Sequence, residues 1–183
     1  YRYSTQQNWS TPHYEKLLDD NSRLLKSYLL AYKLTNIEKF KETAIKTLNF
    51  IIENFLNQDK SFFYASQDAD EDYSKLNLKE RKNTEKPKID KTLFVAINSY
   101  AISSFLIASE VLNNKEYRKI ALNVLDFLNK NLVNNERVMH YFDGKPHEPF
   151  LLKNNLLLID SLLETKEEKY IKLAQELMEN TIK

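Results

Sequence analysis

The residues of this chain with the most capacity for chemistry fall into a few tracts. Trp9 to Asn21 carries His13, Glu15, Lys16, Asp19 and Asp20. Further along are Gln67-Asp68-Ala69-Asp70, an isolated Asp90, and Tyr141 to Glu148 with His147. Two carboxylates in unlike surroundings can divide acid and base roles at a glycosidic bond, and their separation selects inversion or retention. Glu15, Asp20, Asp68, Asp70 and Asp90 are the acidic candidates. Two imidazoles can instead serve as acid and base on opposite faces of a carbon. His13 and His147 are candidates for that, and His140 lies in the strand-like run Val138 to Phe142. The aromatics Trp9, Tyr14, Phe62, Phe63, Tyr64, Tyr141 and Phe142 accompany these groups. Flat faces beside carboxylates suit sugar rings, whose C–H faces stack while hydroxyls find acids and amides. Each residue also has a plain structural role open to it. Asp20 can pair with Arg23 or Lys16, Asp68 and Asp70 can order a turn, and Tyr14 and Phe63 can be core.

The elements that must position these groups are helical. A single glycine and four prolines leave little material for hairpins, and Leu, Ile, Lys, Glu and Asn abound. Helices are predicted over roughly 12–34, 37–56, 91–112, 115–132, 150–164 and 167–182. Thr11 would cap the first and Pro12 would open it. His13 then falls in the first turn, at the positive end of the dipole, and shares a face with Asp20 seven residues on. Phe40, Ala44 and Leu48 of the second helix repeat as Tyr117, Ala121 and Leu125, and again as Tyr170, Ala174 and Met178. An aromatic, an alanine and a large apolar residue four apart lie on one helix face. Three αα-hairpins in a repeat follow. Thr92 to Ser109 contains no charge, so that helix expects protein all round, and the first, third and fifth helices should form the inner layer. Its polar residues make it a poor membrane span. The amino ends of the inner helices then share one end of the molecule with the long connections 57–90 and 133–149, where sites are usually built. Phe62-Phe63-Tyr64 should anchor a short extended segment there, and 73–91 reads as a charged, solvated loop.

Composition excludes several function classes. With 27 basic and 26 acidic residues, the chain has no electrostatic footprint for nucleic acid or an anionic membrane. No cysteine is present, which removes disulfides and thiol catalysis and accords with a cytoplasmic protein. One glycine cannot build a phosphate-cradling loop, so no cofactor is expected. Asp68, Asp70 and Asp72 alternate as in a calcium loop, but Tyr73 takes the glycine slot and no Glu closes the pattern, so no metal is expected either. The chain opens on Tyr1 rather than Met and is expected to be part of a larger protein, its 183 residues forming one helical-hairpin domain.

Pro12-His13-Tyr14-Glu15-Lys16-Leu17-Leu18-Asp19-Asp20-Asn21 resembles the signature segment of the YyaL / spermatogenesis-associated protein 20 family. So do Tyr1-Arg2-Tyr3-Ser4, Phe63 to Asp70, and Asp90-Lys91-Thr92-Leu93 followed by Asn98, in the same order. Ile97 and Ser99 stand where that family has Trp and Gly, which alters any pocket they line. The resemblance implies an all-α fold, three αα-hairpins forming part of an (α/α)6 toroid, with short strand-like segments in the loops. It also implies a carbohydrate-active protein of glycoside hydrolase or sugar epimerase type. On that reading His13, Asp20 and Asp68 are catalytic, while Trp9, Glu15, Gln67, Asp70, Asp90 and Asn98 contact a small carbohydrate. The rival reading is a non-catalytic hairpin module that serves a thioredoxin-like domain or a partner protein. Exposed edges on the first and fifth helices would also allow self-association.

Overall fold

In the computed structural model, residues 3–134 and 137–181 are described. Tyr1 and Arg2 of the lead-in motif, and Ile182 of the last predicted helix, lie outside them. The elements are β1 (Lys16–Leu17), α1 (Leu18–Thr35), α2 (Glu38–Asn54), β2 (Ser66–Gln67), α3 (Glu71–Lys75), α4 (Leu78–Lys82), β3 (Ile89–Asp90) and β4 (Leu93–Phe94). They continue with α5 (Val95–Val111), α6 (Lys115–Leu132), β5 (Val133–Asn134), β6 (Arg137–Val138), β7 (Tyr141–Phe142), β8 (Pro146–His147), α7 (Leu152–Glu164) and α8 (Glu168–Thr181).

The six long helices form three hairpins. Each closes on a left-handed residue, Asn36 (φ 55°), Asn113 (φ 51°) or Lys166 (φ 60°), at the three tight turns expected from the sequence. Helix α5 packs between α1 and α7, while α2, α6 and α8 each pack on their own hairpin partner. The inner layer is therefore α1, α5 and α7. Because α5 has neighbours on three sides, Val95, Ala101, Ile102, Phe105 and Ala108 are fully buried together with Asn98 and Ser104. Ala44, Ala121 and Ala174 are 0%, 0% and 1% exposed, so the repeated alanine marks the tight face of each outer helix. Each fully buried Leu or Phe contributes on the order of 1.5–3 kcal/mol, and Leu25, Leu29, Leu48, Phe105 and Leu125 all qualify.

Two departures from expectation set the geometry of the loop end. Helix α1 starts at Leu18, not near Pro12. Extended pairing captures the preceding residues first: Pro12 bridges Ser4, the His13 amide donates to the Tyr3 carbonyl at 3.0 Å, and Lys16 and Leu17 pair with Gln67 and Ser66. Thr11 is thus no cap, and His13 lies off the helix, where the shared-face argument with Asp20 does not apply. The charged stretch after Asp70 also holds structure, α3 and α4. Asn77 and Glu80 cap α4 reciprocally, an Asn-x-x-Glu signal that resembles the Ser/Thr capping box. The sheet β1-β2-β3 stands at the amino end of α1, and β4-β7-β8 leads into α5. Phe63 packs on Phe105 of the inner helix α5 (5.1 Å between ring centroids), as expected, whereas Phe62 packs on Phe127 of the outer helix α6 (5.1 Å); together they anchor the segment before β2.

Candidate functional site

A cleft at the loop end opens at the start of α1. It has a volume of about 640 Å³ and is lined by Glu15, by Lys16 and Leu17 of β1, and by Asp19, Asp20, Asn21, Arg23, Leu24 and Ser27 of the helix. The local cause is the late helix start. Leu17 is still extended (φ −102°, ψ 142°) where the helix begins, so Glu15 before β1 and Asp19 and Asp20 of the first turn line one space. Arg23 reaches across to α5, donating to the Tyr100 hydroxyl at 2.6 Å with its guanidinium 4.3 Å from the ring centroid. The hydroxyl, and more weakly Asp19 and Asp20, raise the Arg23 pKa further. Burial, assisted by the charge of Arg81, pulls the Lys16 ammonium below its ordinary value. A half-desolvated lysine, an arginine and three carboxylates around one cleft can hydrogen-bond a polyhydroxylated ligand from both sides, and Leu17 and Leu24 offer apolar surface to its C–H faces.

The sequence candidates distribute unevenly over this geometry. Glu15 and Asp20 line the cleft. His13 lies beside it, in a smaller cavity of about 170 Å³ with Tyr3, Tyr14, Glu71 and Lys75. Its Nε2 is 3.4 Å from Glu15 Oε2, and its ring stacks on Tyr3 at 4.9 Å. Glu15 therefore couples the two spaces, and His13 and Asp20 do not share one. Gln67 is the strand partner of Lys16, with its side-chain amide directed to the Pro87 carbonyl at 3.5 Å. Trp9 is 55% exposed in a turn at φ 59° and lines neither space.

Three acids order the backbone. Asp68 is exposed and accepts from the Ala69 amide at 2.8 Å. Asp70 caps α3 through the Tyr73 amide at 2.8 Å, and Asp90 accepts from the Thr92 amide at 3.0 Å. Asn98 is fully buried. Its Oδ1 accepts from the Phe63 amide at 2.9 Å, and its Nδ2 donates to the carbonyls of Phe63 and Phe94 at 3.0 and 3.1 Å. Its amide is occupied by backbone, so Asn98 is a strut of the loop end rather than a substrate contact. Sequence reasoning did not assign Lys16, Asp19, Asn21 or Arg23 to a site. The signal was there: two acids at the start of a helix, three and four residues before an arginine. Among the described residues no group of three or more His, Asp or Glu could hold a metal ion, and no helix is long and apolar enough to cross a membrane.

No family model matches the chain. Over 70 residues, 38% of its length, it is 36% identical to spermatogenesis-associated protein 20 of Rattus norvegicus and 34% identical to the Homo sapiens protein. The matched segment spans 9% of each of those relatives. Similar solved structures are sugar enzymes. A cellobiose 2-epimerase from Spirochaeta thermophila matches 89% of this chain and 42% of its own, with TM-score 0.73 and 15% identity. A D-mannose isomerase matches 94% and 42%, with TM-score 0.72 and 17% identity. The unsaturated glucuronyl hydrolase of Bacillus sp. GL1 matches 96% and 48%, with TM-score 0.69 and 17% identity. The chain thus spans a little under half the length of these solved neighbours, and three hairpins are the matching part of a six-hairpin (α/α) toroid.

Proposed function

We propose that this domain contributes a carbohydrate site to a sugar-active toroid, and that the cleft at the start of α1 is that site. The observation that carries the reading is the cleft itself, where Glu15, Asp19 and Asp20 face Lys16 and Arg23 at the amino end of an inner helix. Glu15 and Asp20 accept from sugar hydroxyls, Lys16 and Arg23 donate, and His13 orients Glu15 from the neighbouring cavity. In the intact protein the reaction is hydrolysis or epimerisation of a small carbohydrate, in the cytoplasm. The test is a titration of the 183-residue chain with cellobiose, mannose and glucuronic acid, followed by amide chemical shifts. Shifts should concentrate at 15–27. Asp20→Asn and Glu15→Gln should each weaken binding about tenfold, roughly 1.4 kcal/mol, with the melting temperature unchanged. Asp68→Asn should change neither. Absence of any shift at millimolar sugar would refute this reading.

A second reading, a module that docks other protein, is favoured by the flanking inner helices. Leu24, Leu30 and Leu34 on α1 are 51%, 40% and 84% exposed, and Leu152, Leu156 and Leu163 on α7 are 60%, 41% and 45% exposed. Such edges suit further hairpins, a second copy or a thioredoxin-like domain. Sedimentation equilibrium of the wild type against Leu34→Lys checks whether they self-associate.

A further inference from the structure

The α1 cleft has one wall. Every described residue that lines it lies between 15 and 27, in a single β1–α1 stretch. Ligand pockets close over most of their ligand, with groups that converge from several elements. Here the far side is open because α1 is the first inner helix. It meets α5 through Arg23, Lys26 and Lys33, which bond Tyr100, Ser103 and Glu110, and α2 through Tyr28, whose ring stacks on Phe40. Asp20, Leu24, Ser27 and Ala31 recur at helical spacing and form another strip. The first three of them line the cleft, and Leu24 is exposed.

The third hairpin carries the mate of that edge. The hairpins join through their inner helices, α1 to α5 and α5 to α7, so α5 uses both of its sides while α1 and α7 each keep one. On α7 the exposed leucines Leu152, Leu156 and Leu163 form a strip, with exposed Lys153 beside its first turn. Each contact between successive hairpins sets the forward side of one inner helix against the backward side of the next. The side left over on α7 is a forward side and that on α1 a backward side, the two kinds that already pack together twice within the chain. They lie on opposite flanks of α5. Two copies related by a twofold axis parallel to the helices bring them together twice and complete six hairpins, as in the toroids this fold matches.

Such a rotation keeps all amino ends at one end, so heights along the helices are preserved. Counted from the tight turns at Asn36 and Lys166, Lys153 is level with Arg23; counted from the helix starts, Leu18 and Leu152, it is level with Asp19. Either way its ammonium comes to the first turn of the partner's α1, which carries Asp19 and Asp20, and Leu156 comes within a turn of Leu24. Arg23, Lys26 and Lys33 set the precedent, each a cation that reaches forward to the next inner helix. We propose that the sugar site is composite: the α1 cleft of one copy is closed by the amino end of α7 from a second copy of this chain. Leu152 and Leu156 supply the missing wall, and Lys153 adds a donor opposite the carboxylates. The proposal rests on the sugar-cleft reading.

The test follows sedimentation equilibrium and sugar-induced amide shifts on the same 183-residue chain. The wild type should dimerise, and mannose or cellobiose should tighten the dimer, because a ligand held by both copies favours association. Leu163→Lys, at the opposite end of α7 from the cleft, should be monomeric and bind sugar at least about tenfold more weakly. Lys153→Met and Asp20→Asn should each weaken binding about tenfold alone. Mixed in equal amounts, these two variants should regain about a quarter of the wild-type sites, since half of the dimers pair one copy of each and one of their two sites is intact. Sugar binding by a monomeric wild type, wild-type affinity in Leu163→Lys monomers or in Lys153→Met, or mixtures that regain nothing each overturn the composite site and leave the α1 cleft standing. A wild type that binds no sugar overturns the cleft reading and the composite site with it. Should Leu163→Lys fail to fold, the mixing experiment decides the matter.

Discussion

Asn98 offers the sharpest test of how the loop end is held. The Leu56–Phe63 bridge uses the Tyr64 amide to the Phe55 carbonyl and the Asn57 amide to the Phe62 carbonyl, at 2.8 and 3.0 Å. Phe63's own N–H and C=O therefore point the other way, into protein, where no strand follows. The Asn98 amide closes both as a neighbouring strand would, and also donates to Phe94. Asn98→Ala leaves a buried donor and a buried acceptor of Phe63 without partners. Each costs about 1–3 kcal/mol, so the loss should total about 2–6 kcal/mol. For a domain of this size one kcal/mol shifts the melting temperature by about 2–4 °C, so a central loss near 4 kcal/mol lowers it by about 8–16 °C. Asn98→Asp keeps the volume and the acceptor for the Phe63 amide, but loses the donors and buries a charge; it should be no milder. Differential scanning calorimetry reads both. A fall of less than about 2 °C, or loss of sugar-induced shifts at 15–27 without loss of stability, would show that the strut argument is wrong and return Asn98 to the ligand.

Other outcomes follow from packing and titration. Ala121→Leu should overpack the α5–α6 contact and cost about 1–3 kcal/mol, read by urea denaturation; an unchanged midpoint would break the repeat argument. Tyr170 donates to Asp126 at 2.7 Å, and burial raises its phenol above the ordinary value of 10.0. The fold thus favours the protonated phenol, a contribution complete below pH 10 and lost as pH rises through the folded-state pKa. Alkaline destabilisation should therefore be shallower in Tyr170→Phe than in the wild type, by thermal melts across pH 9–12. Parallel curves would discount the buried phenol.

Long periodic elements were legible because one interaction dominates them. The uncharged run 92–109 could only be a helix buried all round, and Ala44, Ala121 and Ala174 lie at the tight contacts their spacing implied. The start of α1 was not legible. Thr11 and Pro12 carry good local helix-start chemistry, but pairing with Ser4 and with β2, remote in sequence, captures 12–17 first. That competition displaced His13 from the helix and split it from Asp20. Asp68, Asp70 and Asp90 are ambiguous in sequence for a related reason. Acids that accept from amides one to three residues on look the same in sequence as acids that line a site, and only the backbone path separates them. Asn98 shows the converse, since a buried amide is readable as ligand or strut until its partner, 35 residues away, is known.

The repeat also accounts for how the inner layer holds its register. Arg23 to Tyr100, Lys26 to Ser103 and Lys33 to Glu110 are the cross-helix links between α1 and α5, and each joins residues 77 apart. The outer helices repeat at the same spacing, since Phe40 corresponds to Tyr117. Equivalent residues of successive hairpins therefore face one another. Adjacent hairpins are related by sideways displacement and rotation, with little slip along the helix axes, so their amino ends stay level. Level amino ends put β1-β2-β3, at the start of α1, and β4-β7-β8, at the start of α5, at the same end of the domain. Lys26 extends the link to the third hairpin through Glu164 at 2.9 Å. Exposed ion pairs contribute little stability, about 0–1 kcal/mol, so their value here is in register: Lys26→Met should leave the melting temperature within about 2 °C but, if the level arrangement depends on it, shift the amide resonances of both loop-end sheets. Resonance changes confined to the neighbourhood of residue 26 would show that core packing alone fixes the register.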